Sequence, residues 1–416
     1  MQKNHIPSQQ RYSLLDALRG FAIFGIFGVN MMASTLSWFG QDIENMHIWF
    51  GSKPEKIFQV AIEALVEGKF YSMFSLLFGI GFGLQLGKHT DAGINGLPIF
   101  KRRLWGLLFI GFMHMMLLWV GDILFLYAWL GFILIAFRHK SDRYLLWAAL
   151  ICLAVPVILF PLRIMHESIT LGTPLYALLF GLLGLLGMDL QQMNMVEMST
   201  SPGWGNYFFT NLIAFFFRQA DLFDQVRPFK VFAMFLVGFW VSRHRWYQTP
   251  EVFLQKFRKW IPIVLPIALC INVAMAYVSW DAYYSASWMG WLKTWLYFLG
   301  VVPLSLCYVY LFTAAYISGR YPVLHAFTYV GRMALSNYLF QSVIYVIIFR
   351  WPFFALAGKW GSIICMAPVL VIYPLQIVFS KWWLSRYRYG PAEWLWRSMT
   401  YRQWQPMKRN DNETPS

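Results

Sequence analysis

Two residues of this chain combine the right types and spacing for chemistry: His114, inside an apolar run, and Asp122, just past its end in Gly121-Asp122-Ile123-Leu124. An imidazole oriented by a carboxylate can act as a general base, taking the proton of a hydroxyl or amine as it attacks an acyl carbon. It can also carry the acyl group itself. A structural reading of the same pair stays open, in which His114 bonds a neighbouring helix and Asp122 caps the next one, since Asp is a favoured N-cap. Ionisable groups within apolar segments are costly and lean toward function. A second charged pair, Asp16 and Arg19, stands three residues apart at the mouth of the first apolar run, where helical geometry brings them together at the lipid boundary.

The elements that must position these groups are membrane-spanning helices. Of 416 residues, 58% are hydrophobic and only 13% charged, against about a quarter charged in soluble domains. The apolar runs are about 20 residues long, enough to cross about 30 Å of hydrocarbon as helix, and they lack the period-two alternation of barrel strands. The expected fold is therefore all-α, a polytopic transmembrane helix bundle of about ten spans. They are placed at Leu14 to Trp38, Lys69 to Gly87, Ile99 to Trp119, Ile123 to Phe137, Tyr144 to Leu162, Phe229 to Val241, Trp260 to Trp280, Trp288 to Ile317, His325 to Phe349 and Gly361 to Leu384. With both termini inside, most of the 34 Lys and Arg fall on cytoplasmic loops and ends, so the positive-inside rule favours an N-in, C-in protein. The net charge of +15 then implies anionic membrane lipids as partners and no nucleic acid. The polar start, Met1 to Gln10, predicts no cleavable leader.

One transmembrane domain is expected over 1–404. Within it, 55–68 reads as an amphipathic interfacial helix with Gly68 as the bend into the second span. Residues 170–218 read as interfacial or re-entrant helices, with two further crossings as the alternative. Residues 390–401 read as a cytoplasmic interfacial helix in which Glu393 and Arg397 pair at i, i+4. A disordered tail over 405–416 completes the chain. Gly79, Gly81 and Gly83 supply small residues for close helix approach. No internal repeat is visible, which disfavours a transporter built from duplicated halves. The four cysteines lie far apart in apolar runs and read as small core residues, and no HExxH, Walker, Gly-x-Ser-x-Gly or clustered Cys/His pattern occurs, so no metal is expected.

Depth sharpens the choice of site. The first span rises from the inside near Leu14, placing Asn30 roughly 24 Å up, and the third rises from Lys101, placing His114 past the midplane. Asn30, His114 and Asp122 thus share the outer half. In the ninth span Asn337 and Gln341 fall on one face, either knitting helices together or lining an acceptor channel.

Leu14-Leu15-Asp16-Ala17-Leu18-Arg19-Gly20, with Asn30 eleven residues after the arginine, resembles the opening helix of the membrane acyltransferase superfamily. The large acyltransferase-three branch usually has His where Asn30 stands; the heparan-α-glucosaminide N-acetyltransferase branch and the YeiB-like family (domain of unknown function 418) have Asn. Further segments resemble the YeiB-like family in order along the chain: Glu67 to Gly79, Gly121 to Leu124, Gly331 to Tyr338 and Gly390 to Arg397. The resemblance implies a bacterial inner-membrane protein that passes an acyl group from a cytosolic thioester such as acetyl-CoA to a periplasmic or external sugar, lipid or glycan. His47, in the loop after the first span, becomes a competing acyl-accepting candidate. Arg19, Arg102, Arg103 and Arg332, at cytoplasmic helix ends, could hold coenzyme A phosphates bidentately, although topological anchoring explains the same residues. The alternative function is a transporter or lipid-handling protein that uses the same polar cavity without catalysis.

Overall fold

A computed structural model of the chain describes residues 12–33, 52–91, 95–165, 171–185, 187–188, 201–278, 288–356 and 359–409. Among them the chain forms sixteen helices and no named strand. In order these are α1 (Ser13–Ala33), α2 (Lys53–Leu65), α3 (Lys69–Asp91), α4 (Leu97–Leu117), α5 (Leu124–Ala136), α6 (Asp142–Met165), α7 (Thr173–Leu185) and α8 (Trp204–Asp224). They continue as α9 (Arg227–Arg243), α10 (Pro250–Phe257), α11 (Ile261–Tyr277), α12 (Trp288–Ile317), α13 (Val323–Arg332), α14 (Ala334–Phe349), α15 (Ser362–Arg386) and α16 (Pro391–Tyr401). The protein is an α-helical membrane protein: five of its helical stretches are long and apolar enough to cross a bilayer by themselves, and two bent pairs bring the number to seven. The other expected spans fall short for a physical reason. α4 carries Lys101, Arg102 and Arg103, while α5 and α9 are only 13 and 17 residues long.

Glycines set the tightest packing. A Cβ on Gly79 of α3 would lie 2.1 Å from the Phe235 carbonyl oxygen of α9, and one on Gly238 would lie 2.1 Å from the Leu76 carbonyl oxygen. These two helices therefore touch backbone to backbone, as the small residues of α3 suggested. Gly81, with nothing within 4 Å, takes no part. Their flanks are filled by Phe78 stacked on Phe235 at 4.4 Å between ring centroids and by Phe82 against Phe239 at 4.8 Å. α1 and α13 cross in the same manner at Gly20 and Gly331.

One end of the bundle gathers basic groups. The Arg243 guanidinium donates to the carbonyls of Lys140 and Arg138 and pairs with Asp142 at 3.0 Å. Arg103 stacks on Trp396, Tyr12 packs on Tyr247, and Arg19 donates to Asp16 at 2.5 Å. Asp16 and Arg19 thus meet as their spacing required, at this basic end.

Three expectations are corrected. The stretch His325 to Phe349 is not one straight span: α13 and α14 meet at 87° across Met333. The break is stabilised from a distance, because Glu393 accepts from Leu335 N at 2.6 Å, Ser336 N at 3.1 Å and the Ser336 hydroxyl, capping the first turn of α14. For that reason Glu393 does not pair with Arg397, which instead stacks over Tyr389 at 4.5 Å. Residues 405–409, expected in the disordered tail, are ordered: Arg388 N donates to Met407 O, and Arg409 N to Arg386 O. Residues 410–416 lie outside the described residues.

Gly68 takes φ 80° between α2 and α3, yet the two run on as one helical stretch, Lys53–Gly87, without the sharp bend expected there. α2 is more than a surface helix, since Glu55 accepts from Ser362 N and Ile363 N at the start of α15 and Glu63 pairs with Lys293 of α12 at 2.9 Å. Cys307 and Cys365 are buried as expected, but Cys270 is exposed on α11.

Burial raises the carboxyl pKa of Glu393, opposed by the hydrogen bonds from Ser336 and Leu335. A folded value above the unfolded one favours the folded state most below the ordinary carboxylate value of about 4.3, and that contribution declines as the pH rises through the folded value. Glu393→Gln is expected to flatten this segment of the melting temperature against pH curve, and Glu393→Ala to cost about 1 kcal/mol as a lost cap. Both are read by thermal melts in detergent; a wild-type profile in the Gln variant would deny the linkage.

Candidate functional site

Asp122 is placed by the start of α5. Its Oδ1 accepts from Phe125 N at 2.7 Å, so it caps the first turn of α5 from the residue before the N-cap Ile123. That leaves Oδ2 facing α4, where it meets Nδ1 of His114 at 2.7 Å. The two helices come close enough because Gly111 lies one turn before His114: a Cβ there would sit 2.5 Å from Phe125 N and 3.0 Å from Asp122 Oδ1. The other imidazole nitrogen, Nε2, lies 2.7 Å from the Ser342 hydroxyl of α14, and the Tyr338 ring covers the imidazole at 5.1 Å. His114, Asp122 and Ser342 are all at least 95% buried. Both readings of the pair are thus present in one geometry, since Asp122 caps a helix and orients His114 at the same time.

Chemically, the chain Asp122–His114–Ser342 is a carboxylate, an imidazole and a hydroxyl in series. With Asp122 ionised, Nδ1 carries the proton and Nε2 is free to accept from Ser342, which polarises that hydroxyl toward nucleophilic attack. Sequence reasoning missed Ser342. A serine among Gln341 and Val343 in an apolar helix carries no local motif, and only the fold brings it to His114 from 228 residues away.

Beside Asp122 opens a cavity of about 90 Å³ between α1, α3, α5, α8, α9 and α12. Asn30, Glu67, Tyr71, Asp122, Arg218, Arg227 and Tyr297 give it a polar wall; Ile26, Val29, Leu126 and Leu222 give it an apolar one. Asn30 and Asp122 therefore face one space. His114 and Ser342 lie behind Asp122 and do not line it. The cavity lies toward the end of α1 opposite the basic end, the half to which depth assigned Asn30.

The remaining candidates stand elsewhere. Arg19, Arg103 and Arg332 are at the basic end, with Gly331 against the Asp16 carbonyl. Arg103 is committed to the protein, donating to Gln85 at 3.2 Å and stacking on Trp396 at 4.1 Å, while Arg102 Nε is buried without a hydrogen-bond partner. Asn337 donates to Ser380 at 3.0 Å and Gln341 to Gln376 at 2.9 Å, and Gln376 returns a bond to the Asn337 carbonyl at 3.0 Å. These amides join α14 to α15 and continue the polar line from Ser342 toward the basic end. His47 lies outside the described residues. Among the described residues no cluster of His, Cys, Asp and Glu could hold a metal ion.

The chain is similar to "Uncharacterized protein YxaH" of Bacillus subtilis (strain 168), with 31% identity over 97% of both chains. It is also similar to "Uncharacterized protein YeiB" of Escherichia coli (strain K12), with 26% identity over 94% of this chain and 97% of that one. A third relative, "Uncharacterized 39.9 kDa protein in amylase 3'region" of Bacillus acidopullulyticus, is 27% identical over 95% of each chain. Residues 241–403 match the family model "Protein of unknown function (DUF418)". No solved structure matches.

Proposed function

The chain belongs to the YeiB-like family, and from that premise we propose that it is an acyltransferase of a bacterial inner membrane with its basic end in the cytoplasm. In this reading a cytosolic acyl thioester, such as acetyl-CoA, is held by Arg19, Arg102, Arg103 and Arg332, and a sugar, lipid or glycan acceptor enters the cavity at the other end. The observation that carries the reading is the buried Asp122–His114–Ser342 chain with its two bonds of 2.7 Å. Ser342 Oγ attacks the thioester carbonyl as its proton passes to His114 Nε2, and the coenzyme leaves as a thiol with that proton. Ser342 does not line the cavity, so the next step requires side-chain movement beside Asp122; an acceptor hydroxyl from the cavity then attacks the acyl serine, and its proton passes through His114 back to Ser342 Oγ as the new ester forms. Asn30 faces the acceptor from the cavity wall.

The test is acyl transfer from labelled acetyl-CoA by the protein in detergent with an amphiphilic acceptor, together with intact mass. His114→Gln and Ser342→Ala are expected to lower the rate by about 100- to 10,000-fold, with thermal melts showing that each variant is still folded at the assay temperature. Wild-type protein held without acceptor is expected to gain one acetyl group at Ser342. Full activity in His114→Gln would overturn the reading. The polar line through Gln341, Gln376, Asn337 and Ser380 favours a second reading, in which the protein passes an amphiphile across the membrane without chemistry.

A further inference from the structure

The cavity beside Asp122 carries more positive potential than the His114 chain uses. Three helices begin on its wall, α3 at Gly68, α5 at Ile123 and α9 at Arg227, and all three residues line it. A helix start presents N–H groups without intrahelical partners and the positive end of the helix dipole, which together favour an anion. The start of α9 has no side-chain cap. Two guanidiniums add to this field, Arg218 from the last turns of α8 and Arg227 from the first turn of α9, and they are close enough to repel one another. Lys230 follows one turn later, its ammonium 2.6 Å from the Tyr297 hydroxyl and 4.5 Å from the Tyr71 ring centre, behind the tyrosines of the wall.

The nearby acids offset this field only in part. Asp122 is committed to His114 and Phe125 N, and Asp221 is committed to Arg218 at 3.3 Å and to Gln225. Glu67, on the wall, and Asp221 both attract Arg227, though neither reaches ion-pair distance. Arg227 makes no hydrogen bond with a described residue, although its side chain lies on a cavity wall well inside the bundle. Its guanidinium is attracted by Glu67, Asp221 and the tyrosines of the wall without hydrogen-bonding to them, so its donors stay open to a bound anion.

We propose that this cavity binds the phosphate group of an amphiphile, held by Arg227 and Arg218 beside the uncapped start of α9, with the apolar chain along Ile26 and Leu126; the start of α5 is already taken by Asp122. A phosphate group fits better than a carboxylate because its three terminal oxygens can take donors from α8, α9 and a helix start together, whereas a carboxylate has two oxygens in one plane. The inference rests on the proposed role of the cavity as the acceptor site and narrows the acceptor to a phosphorylated lipid or lipid-linked sugar. A lipid headgroup and free inorganic phosphate share this chemistry, so the test must separate them.

Isothermal titration of the full chain in maltoside detergent is carried out with dodecyl phosphate, inorganic phosphate and dodecanoate. Dodecyl phosphate is expected to bind, and Arg227→Gln to weaken it by about 10- to 100-fold, the loss of one charge-assisted contact. Arg227→Lys should retain most of the affinity, and melting temperatures show that each variant is folded. Dodecyl phosphate binding well above inorganic phosphate identifies a headgroup site; equal binding identifies free phosphate as the occupant and overturns the amphiphile. Dodecanoate binding as tightly as dodecyl phosphate, or no binding of either phosphate, overturns the site. His114→Gln should bind dodecyl phosphate as wild type does, so loss of acyl transfer with retained binding counts against the catalytic reading alone.

Discussion

Gly331→Ala and Gly20→Ala are each expected to abolish the folded protein or lower its melting temperature sharply. α1 and α13 cross with no side chain between them. A Cβ on Gly331 would lie 1.7 Å from the Asp16 carbonyl oxygen, and one on Gly20 would lie 2.1 Å from that of Phe327. Both obstacles are backbone, so no rotamer change relieves them and the helices must separate. Separation would disturb the stack of Phe21 on Phe312 at 4.8 Å and the Tyr373 hydroxyl bond to the Gly20 carbonyl at 2.7 Å. Overpacking of this sort costs about 1–3 kcal/mol where side chains can adjust, and more is expected where they cannot. The checks are the monodisperse fraction on size exclusion after detergent extraction and the thermal melt. Gly81→Ala and Gly181→Ala, at open positions with nothing within 4 Å, are the controls and should behave as wild type. A wild-type melt for Gly331→Ala would mean that the crossing is looser than described.

Lys293→Met should be the next most damaging change. Lys293 is 1% exposed on α12, with its ammonium 2.9 Å from Glu63 Oε1 and also bonded to the Val278 carbonyl. Removing one partner of a buried ion pair leaves the other charge uncompensated, at a cost of about 3–5 kcal/mol. Replacing both partners removes that penalty, so Glu63→Gln combined with Lys293→Met should recover much of the lost stability. The pair also ties α2 to α12, and α2 leads through Gly68 to the cavity, so the single variant is expected to weaken cavity binding as well. Chemical denaturation in mixed micelles measures the three variants. Equal stability of the single and double variants would show that the charges contribute nothing beyond packing.

Much of this protein was legible in the sequence because its causes are local. Hydrocarbon admits only backbone that bonds itself, so apolar runs lacking period-two alternation had to be helices. The proximity of Asp16 to Arg19 depends on a few neighbouring residues and was readable in the same way. The spacing of His114 and Asp122 made them the leading candidate pair, because few other ionisable groups occur within apolar stretches.

What the sequence left open depends on contacts between distant segments. The 87° break at Met333 could not be read from an uninterrupted apolar pattern, since its stabilising cap comes from Glu393, 58 residues away from Leu335. Ser342 looked like filler until the fold set it against His114, and Arg218 and Arg227 fell in a region of ambiguous span assignment until α8 and α9 closed on α1. Sequence by itself determined that this is a bundle of membrane helices with an imidazole and a carboxylate within reach of each other, because periodicity and desolvation act along the chain. Only the tertiary structure decided what stands on the far side of that imidazole and which charges share a cavity with the carboxylate, because those positions are set by helix packing, which no local pattern encodes.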